Sequence, residues 1–143
     1  MPEPLEPAKS PGLLLWRATL SWQRNITTAL KPLGLTHVQF VLLASTWWLN
    51  RVADERPSQR QVAEHANTDP MMTSQVIRTL ADKGLVQRAI DPDDSRARLV
   101  EVTPEGAELA ARAIRVVEAT DRDFFAVVND QQTLLEHLST LAR

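Results

Sequence analysis

No cysteine and no tyrosine occur among the 143 residues, and glycine occupies only four positions. Without thiols there are no disulfides, no thiolate metal ligands and no cysteine redox switch, which fits a reducing, cytoplasmic compartment. The three histidines, His37, His65 and His137, are far apart and lack ligand spacing, so no metal is expected. Glycines as scattered as Gly12, Gly34, Gly84 and Gly106 do not make a phosphate-cradling loop. Nor does any apolar run approach the roughly 18 residues of a membrane span, so no membrane partner is expected. Charge of one sign is lacking too. The 16 basic and 18 acidic side chains leave a formal net of −2, which excludes a uniformly basic coat but not a local basic edge.

No pattern places paired catalytic carboxylates, and Ser74 has no neighbouring His and Asp arrangement to activate it. The expectation is no enzyme and no cofactor. The start, "MPEPLEPAKSPG", has four prolines and no basic n-region, so residues 1–12 read as a flexible arm rather than a signal peptide or a helix.

What is present is a series of helical patterns interrupted once by strands. Leu13, Trp16, Leu20 and Ile26 fall near helical spacing until "KPLG" (31–34) breaks the run. A second helix starts after Thr36, a natural N-cap, with Phe40, Leu43 and Trp47 as its stripe. Ser58 suits the cap of a short helix with Val62, Ala63 and Ala66 inward. Asp69 followed by Pro70 opens the next: a carboxylate for orphan N–H groups, then a proline preset for the first helical turn. Met72, Val76 and Leu80 form its expected inner stripe, flanked by Thr73 and Ile77, and Gly84 is its left-handed stop.

Two short helices joined by a tight turn are a helix-turn-helix pattern. The outward face of the second carries Met71, Ser74, Gln75 and Arg78, groups suited to base edges and phosphates; Thr73 is a further candidate contact. Met71 fits either a thymine methyl or simple packing at the helix start. "LVQRAI" and "RLVEVT" then alternate as two strands around a loop from Asp91 to Ala97, a β-wing. In that loop Asp91 and Asp93 suit the turn, and Asp94 is expected to grip the Arg96 guanidinium and aim it, with Arg98 two places on. Thr103 and Pro104 open a long helix expected to reach about Val128, its apolar side running through Leu109, Ala113, Val116, Val117, Thr120, Phe124 and Val127. A last helix carries Leu134, Leu135, Leu138 and Leu141.

Three stretches, "LTHVQFVLLASTWWL", "TSQVIRTLADKGLVQR" and "DPDDSRARLVEVTPEGAEL", resemble the MarR family of bacterial winged helix-turn-helix regulators, over nearly the whole chain from about Leu13. The resemblance implies a mainly α fold with a small β-wing. Residues 35–103 would be the winged DNA-binding domain, and residues 13–34 and 104–143 a helical dimerisation region. It also implies a homodimer on a palindromic operator of double-stranded DNA, with the recognition helix in the major groove and the wing arginine in the minor groove. By position Arg96 matches that arginine and Asp94 the acid two places before it. Ser74 stands where the family usually has threonine, Gln75 where arginine is common and Ser95 where a second arginine is frequent, so the base sequence read stays open.

Four tryptophans, Trp16, Trp22, Trp47 and Trp48, suit core and dimer-interface packing. Alternatively, the resemblance implies a pocket for a small aromatic or phenolic effector, with Trp16, His37 and Trp47 as candidate lining. Between Arg56 and Arg98 seven basic and six acidic residues leave only +1, so DNA affinity must come from placement and from doubling in a dimer. The resulting expectation is a cytoplasmic, dimeric repressor relieved by a small effector or another signal. Its rival is a winged-helix protein–protein module that binds no DNA.

Overall fold

The computed structural model describes residues 2–143. Six helices and a two-stranded antiparallel sheet follow one another: α1 (Pro11–Leu30), α2 (His37–Arg51), α3 (Gln59–Ala66), α4 (Pro70–Asp82), β1 (Val86–Asp91), β2 (Asp94–Val102), α5 (Pro104–Phe125) and α6 (Gln131–Leu141). Met1 lies outside the described residues, and residues 2–12 are not wholly irregular. Pro7–Lys9 make one 3-10 turn, and α1 begins at Pro11 because the Ser10 hydroxyl accepts the Leu13 amide at 3.3 Å.

Local chemistry sets most helix starts. Thr36 and Gln39 form a reciprocal capping box on α2, and Ser58 and Gln61 form another on α3. Asp69 Oδ2 accepts the Met72 amide at 2.9 Å, with Pro70 as the first residue of α4. Thr103 Oγ1 accepts the Gly106 amide at 3.0 Å to open α5. The break after α1 is a 3-10 turn ending at Gly34, φ 71°, and α4 ends before Gly84, φ 75°.

The core is one cluster around α2, whose Leu42, Leu43 and Leu49 are buried and which packs on α1, α3, α4, α5 and β2. Ile26 and Leu30 close it from α1, Val62 from α3, Ile77 and Leu80 from α4, and Val100 and Val102 from β2. On α5 the inner stripe is Gly106, Ala110, Ala113 and Val117. The expected stripe is thus right at Ala113 and Val117. It is displaced at Leu109 and Val116, which are half-buried, and at Val127, which lies beyond the helix and is 86% exposed. Small inner residues let α5 approach closely. At Gly106 a side chain would collide with the Leu85 carbonyl oxygen.

That approach fastens the end of α4 to the start of α5. The Thr103 amide donates to Leu85 O at 3.0 Å, and the Thr103 hydroxyl donates to Gly84 O at 2.7 Å. Asn50, at the end of α2, accepts the Val102 amide at 2.8 Å and donates to Glu55 O at 3.0 Å. The Val100 amide donates to Pro57 O at 2.8 Å beside a single bridge between Ser58 and Leu99, giving the wing a third, one-residue edge. The root of the wing is therefore held from three sides.

Candidate nucleic-acid interface

α3 ends at Asn67, in the left-handed region at φ 54°, and α4 starts at Pro70. The turn between them is short enough to hold the two helices in fixed relation, and both bury one side against α2. On α4 the outer stripe is Met71, Gln75 and Arg78, all exposed; Met71 is 79% exposed and Ser74 is half-buried. Thr73 does not belong to this surface. It is 1% exposed, its hydroxyl donating to Asp69 O at 2.8 Å and pairing with the Thr68 hydroxyl at 2.7 Å. A threonine presents a methyl group to a core while its hydroxyl back-bonds to the previous turn, and that is the role here. Met72, expected in the core, is 37% exposed, while Thr73, Ile77 and Leu80 make the inner stripe.

The wing departs from the expected loop. β2 already begins at Asp94, so only Pro92 and Asp93 separate the strands. Ile90 pairs with Arg98 and Asp91 with Asp94, which leaves Ser95, Arg96 and Ala97 without partners across the ladder. Arg96 sits at the centre of this three-residue bulge and is exposed. Asp91 Oδ1 accepts the Asp93 amide at 2.9 Å, as the turn requires.

Asp94 also bonds to backbone. Its Oδ1 accepts the Arg96 amide at 3.0 Å, and no ion pair joins it to the guanidinium among the described residues. The expected grip on the side chain is corrected by this contact. An aspartate reaches the amide two residues on at small entropic cost, whereas holding an exposed guanidinium at a hairpin tip fixes a long, rotamer-rich side chain. Arg98 turns back on its own strand, its Nη1 donating to Ser95 O at 3.4 Å and Ala97 O at 3.3 Å.

Wing and helices share one concavity of about 880 Å³. Gln59, Arg60, Gln61 and Glu64 of α3, Pro70 at the head of α4, and Asp91, Asp94, Arg96 and Arg98 of the wing line it. Arg96 thus projects on the side from which α4 starts. The α3 residues in this groove have no equivalent among the sequence expectations, although their period, exposed residues at 60, 61 and 64 around buried 62 and 63, was visible. Arg60 and Glu64 pair at 3.4 Å with both side chains largely exposed, an interaction of little worth. Arg88 of β1 donates to Gln59 at 3.3 Å and steadies the wing against α3.

The expected effector-lining residues do not come together. Trp16 is 62% exposed on α1, and Trp47 is half-buried against the core. His37 lines a groove of about 490 Å³ with Thr27, Lys31, Gly34 and Lys83, and neither tryptophan reaches it. Its aromatic neighbour is Trp22, edge-on with ring centroids 5.0 Å apart, and the Trp22 indole N–H donates to Asp121 on α5 at 2.7 Å. Burial pushes the His37 imidazole below its ordinary value, opposed by the nearby Asp121 carboxylate. Trp22 lies six residues beyond Trp16 on α1, and spacing alone did not reveal which tryptophan faces α2 and α5.

The sequence model of the MarR family matches residues 35–97. YdcH of Bacillus subtilis (strain 168), an uncharacterized HTH-type transcriptional regulator, is 41% identical over 137 residues, covering 96% of this chain and 92% of that one. An HTH-type transcriptional repressor of Mycobacterium tuberculosis is 35% identical over 112 residues, 77% of this chain and 76% of that one. Among solved structures, the transcriptional repressor CouR bound to a 23-mer DNA duplex superposes with a TM-score of 0.83 at 24% identity, covering 99% of this chain and 100% of that one. CouR from Rhodococcus jostii RHA1 bound to p-coumaroyl-CoA gives 0.81 at 26% identity, over 96% and 93%. The helix-turn-helix, the wing and these relatives agree, and the chain belongs to the MarR family of winged helix-turn-helix, DNA-binding transcriptional regulators.

Proposed function

We propose that the protein is a repressor that binds a palindromic operator as a homodimer and is released by a small aromatic effector. One observation carries the DNA-binding mode: Arg96 at the wing tip and Pro70 at the head of α4 open onto the same groove. With α4 in a major groove, Met71, Gln75 and Arg78 meet base edges and phosphates, and Ser74 lies at the margin. Arg96 enters the adjacent minor groove, where a narrow A·T-rich segment concentrates negative potential. Asp94 takes part through the bulge backbone, not through DNA.

The homodimer reading rests on exposed apolar surface. α6 buries no residue; Leu135 and Leu141 are 61% and 71% exposed, and Leu14, Leu15 and Trp16 on α1 are similarly open. An 11-residue helix is marginal alone in water, so α6 needs a surface to cover its leucines. A second copy, presenting the same terminal helices, supplies it. Repression is supported by the M. tuberculosis relative and by CouR, both named as repressors. The effector reading is supported by p-coumaroyl-CoA bound to CouR and by the Trp22, His37 and Asp121 corner between α1, α2 and α5. An effector releases DNA by binding better to the dimer whose recognition helices are wrongly spaced.

The test is selection of bound duplexes from random DNA, followed by gel shifts with Arg96→Ala. An inverted repeat with half-sites about 10 base pairs apart is expected. Arg96→Ala should weaken its binding at least tenfold while the protein stays folded and dimeric. Recovery of no preferred duplex would return the winged surface to the protein–protein role.

A further inference from the structure

Three arginines stand on the wing strands, and two are committed. Arg88 is held by Gln59 on α3. Arg98 uses one nitrogen, Nη1, to reach two backbone oxygens, those of Ser95 and Ala97. Arg96 lies between those two residues, and its guanidinium is unpaired among the described residues.

The strand register explains why Arg98 turns back on its own strand. β1 advances one residue from Ile90 to Asp91 while β2 runs from Arg98 to Asp94, so the intervening three residues find no strand partner. Bulged backbone leaves carbonyls without ladder donors, open to a donor from a nearby side chain. Asp94 supplies an acceptor for the one amide at the bulge centre, and Arg98 supplies a donor for the carbonyls on either side. Acid and base thus fasten opposite polar groups of the same three residues.

We propose that Arg98 is a positioning residue for Arg96 rather than a DNA contact: it fixes the bulge so that Arg96 is aimed into the groove before DNA arrives. The inference rests on the reading of Arg96 as the minor-groove arginine. Its consequence is specific. A phosphate contact displaces counterions and steepens the dependence of affinity on salt, whereas a preorganising contact changes affinity with no change in that slope. A positioning residue also loses its effect once the residue it positions is gone.

Fluorescence anisotropy on one selected operator duplex, over a series from about 50 to 200 mM salt, separates the two roles. Wild type, Arg96→Ala, Arg98→Ala and the double variant are compared, with thermal melts as the folding control. Arg98→Met, which keeps the aliphatic stem without a donor, is a second probe. Loss of Arg98 should weaken binding about three- to tenfold, leave the salt slope at the wild-type value, and add nothing in the Arg96→Ala background. A slope reduced by about two per dimer, one phosphate per subunit, would assign Arg98 to DNA and overturn the inference. So would an undiminished Arg98 effect without Arg96, or wild-type affinity in both Arg98 variants. Wild-type binding by Arg96→Ala alone is the separate outcome that removes the reading beneath it.

Discussion

Gly106 illustrates how a single position can be set by its neighbour's backbone. A methyl group there meets the Leu85 carbonyl oxygen, and that same oxygen accepts the Thr103 amide. The contact cannot be relieved by rotating a side chain. Gly106→Ala should cost about 2 kcal/mol or more and lower the urea midpoint accordingly; an unchanged midpoint would contradict the close approach. Thr103→Ala removes a helix cap and the bond to Gly84, a loss of about 1 kcal/mol by the same assay.

His37 gives a pH signature. Its folded-state affinity for a proton is lowered by burial, so the unfolded chain binds the proton more readily. Stability from this group is complete above the ordinary imidazole value of about 6.5 and is lost as pH falls through the lowered folded value. Wild type should therefore lose thermal stability more steeply than His37→Gln as pH falls below the ordinary imidazole value of about 6.5. Parallel pH profiles for the two proteins would show that His37 titrates as it does in the unfolded chain.

Among the elements, α4 and α6 rest on different supports. α4 is capped by Asp69 and buries three residues, so Asp69→Ala should cost about 1 kcal/mol without unfolding the domain. α6 is capped by Asp130, through the amide and hydroxyl of Thr133, yet buries nothing. If the proposed homodimer forms through α6, paired substitutions Leu135→Glu and Leu138→Glu should convert it to monomers in sedimentation velocity while the winged domain keeps its melting transition. A dimer unchanged by both would place the interface elsewhere.

The elements differ likewise in how openly the sequence announces them. Thr36, Ser58, Asp69 and Thr103 carry their cap signals within four residues, so helix starts could be read directly. Phase could not. One helical residue turns the side chain by about 100°, and the packing partner α2 decides which of Met72 and Thr73 goes inward. The wing was legible as a hairpin, but its bulge was not, because register depends on cross-strand pairing and on the anchors from Asn50 and Pro57 far along the chain. The partner of Asp94 is hidden in the sequence for a related reason: charge alone points to the guanidinium, while the nearer backbone amide wins.

On the scale of the whole molecule, the near-neutral charge gains a physical sense. The groove's Arg60, Arg96 and Arg98 face Glu64, Asp91 and Asp94, so bulk attraction to DNA is weak and the arrangement of cations has to carry recognition. In the proposed homodimer, two-fold symmetry would double that arrangement and supply affinity that one subunit lacks. The latch of Gly84 and Leu85 with Thr103 and Gly106 ties the end of α4 to the start of α5. The most direct measurement is hydroxyl-radical footprinting of wild type and Arg96→Ala on a selected operator, the variant at a concentration that restores occupancy. Paired protections on one face of the duplex are expected, and Arg96→Ala should lose only the minor-groove protections flanking each half-site. Identical footprints for the two proteins, or protection of a single half-site, would contradict a dimer that sets α4 and the Arg96 wing on the same side of DNA.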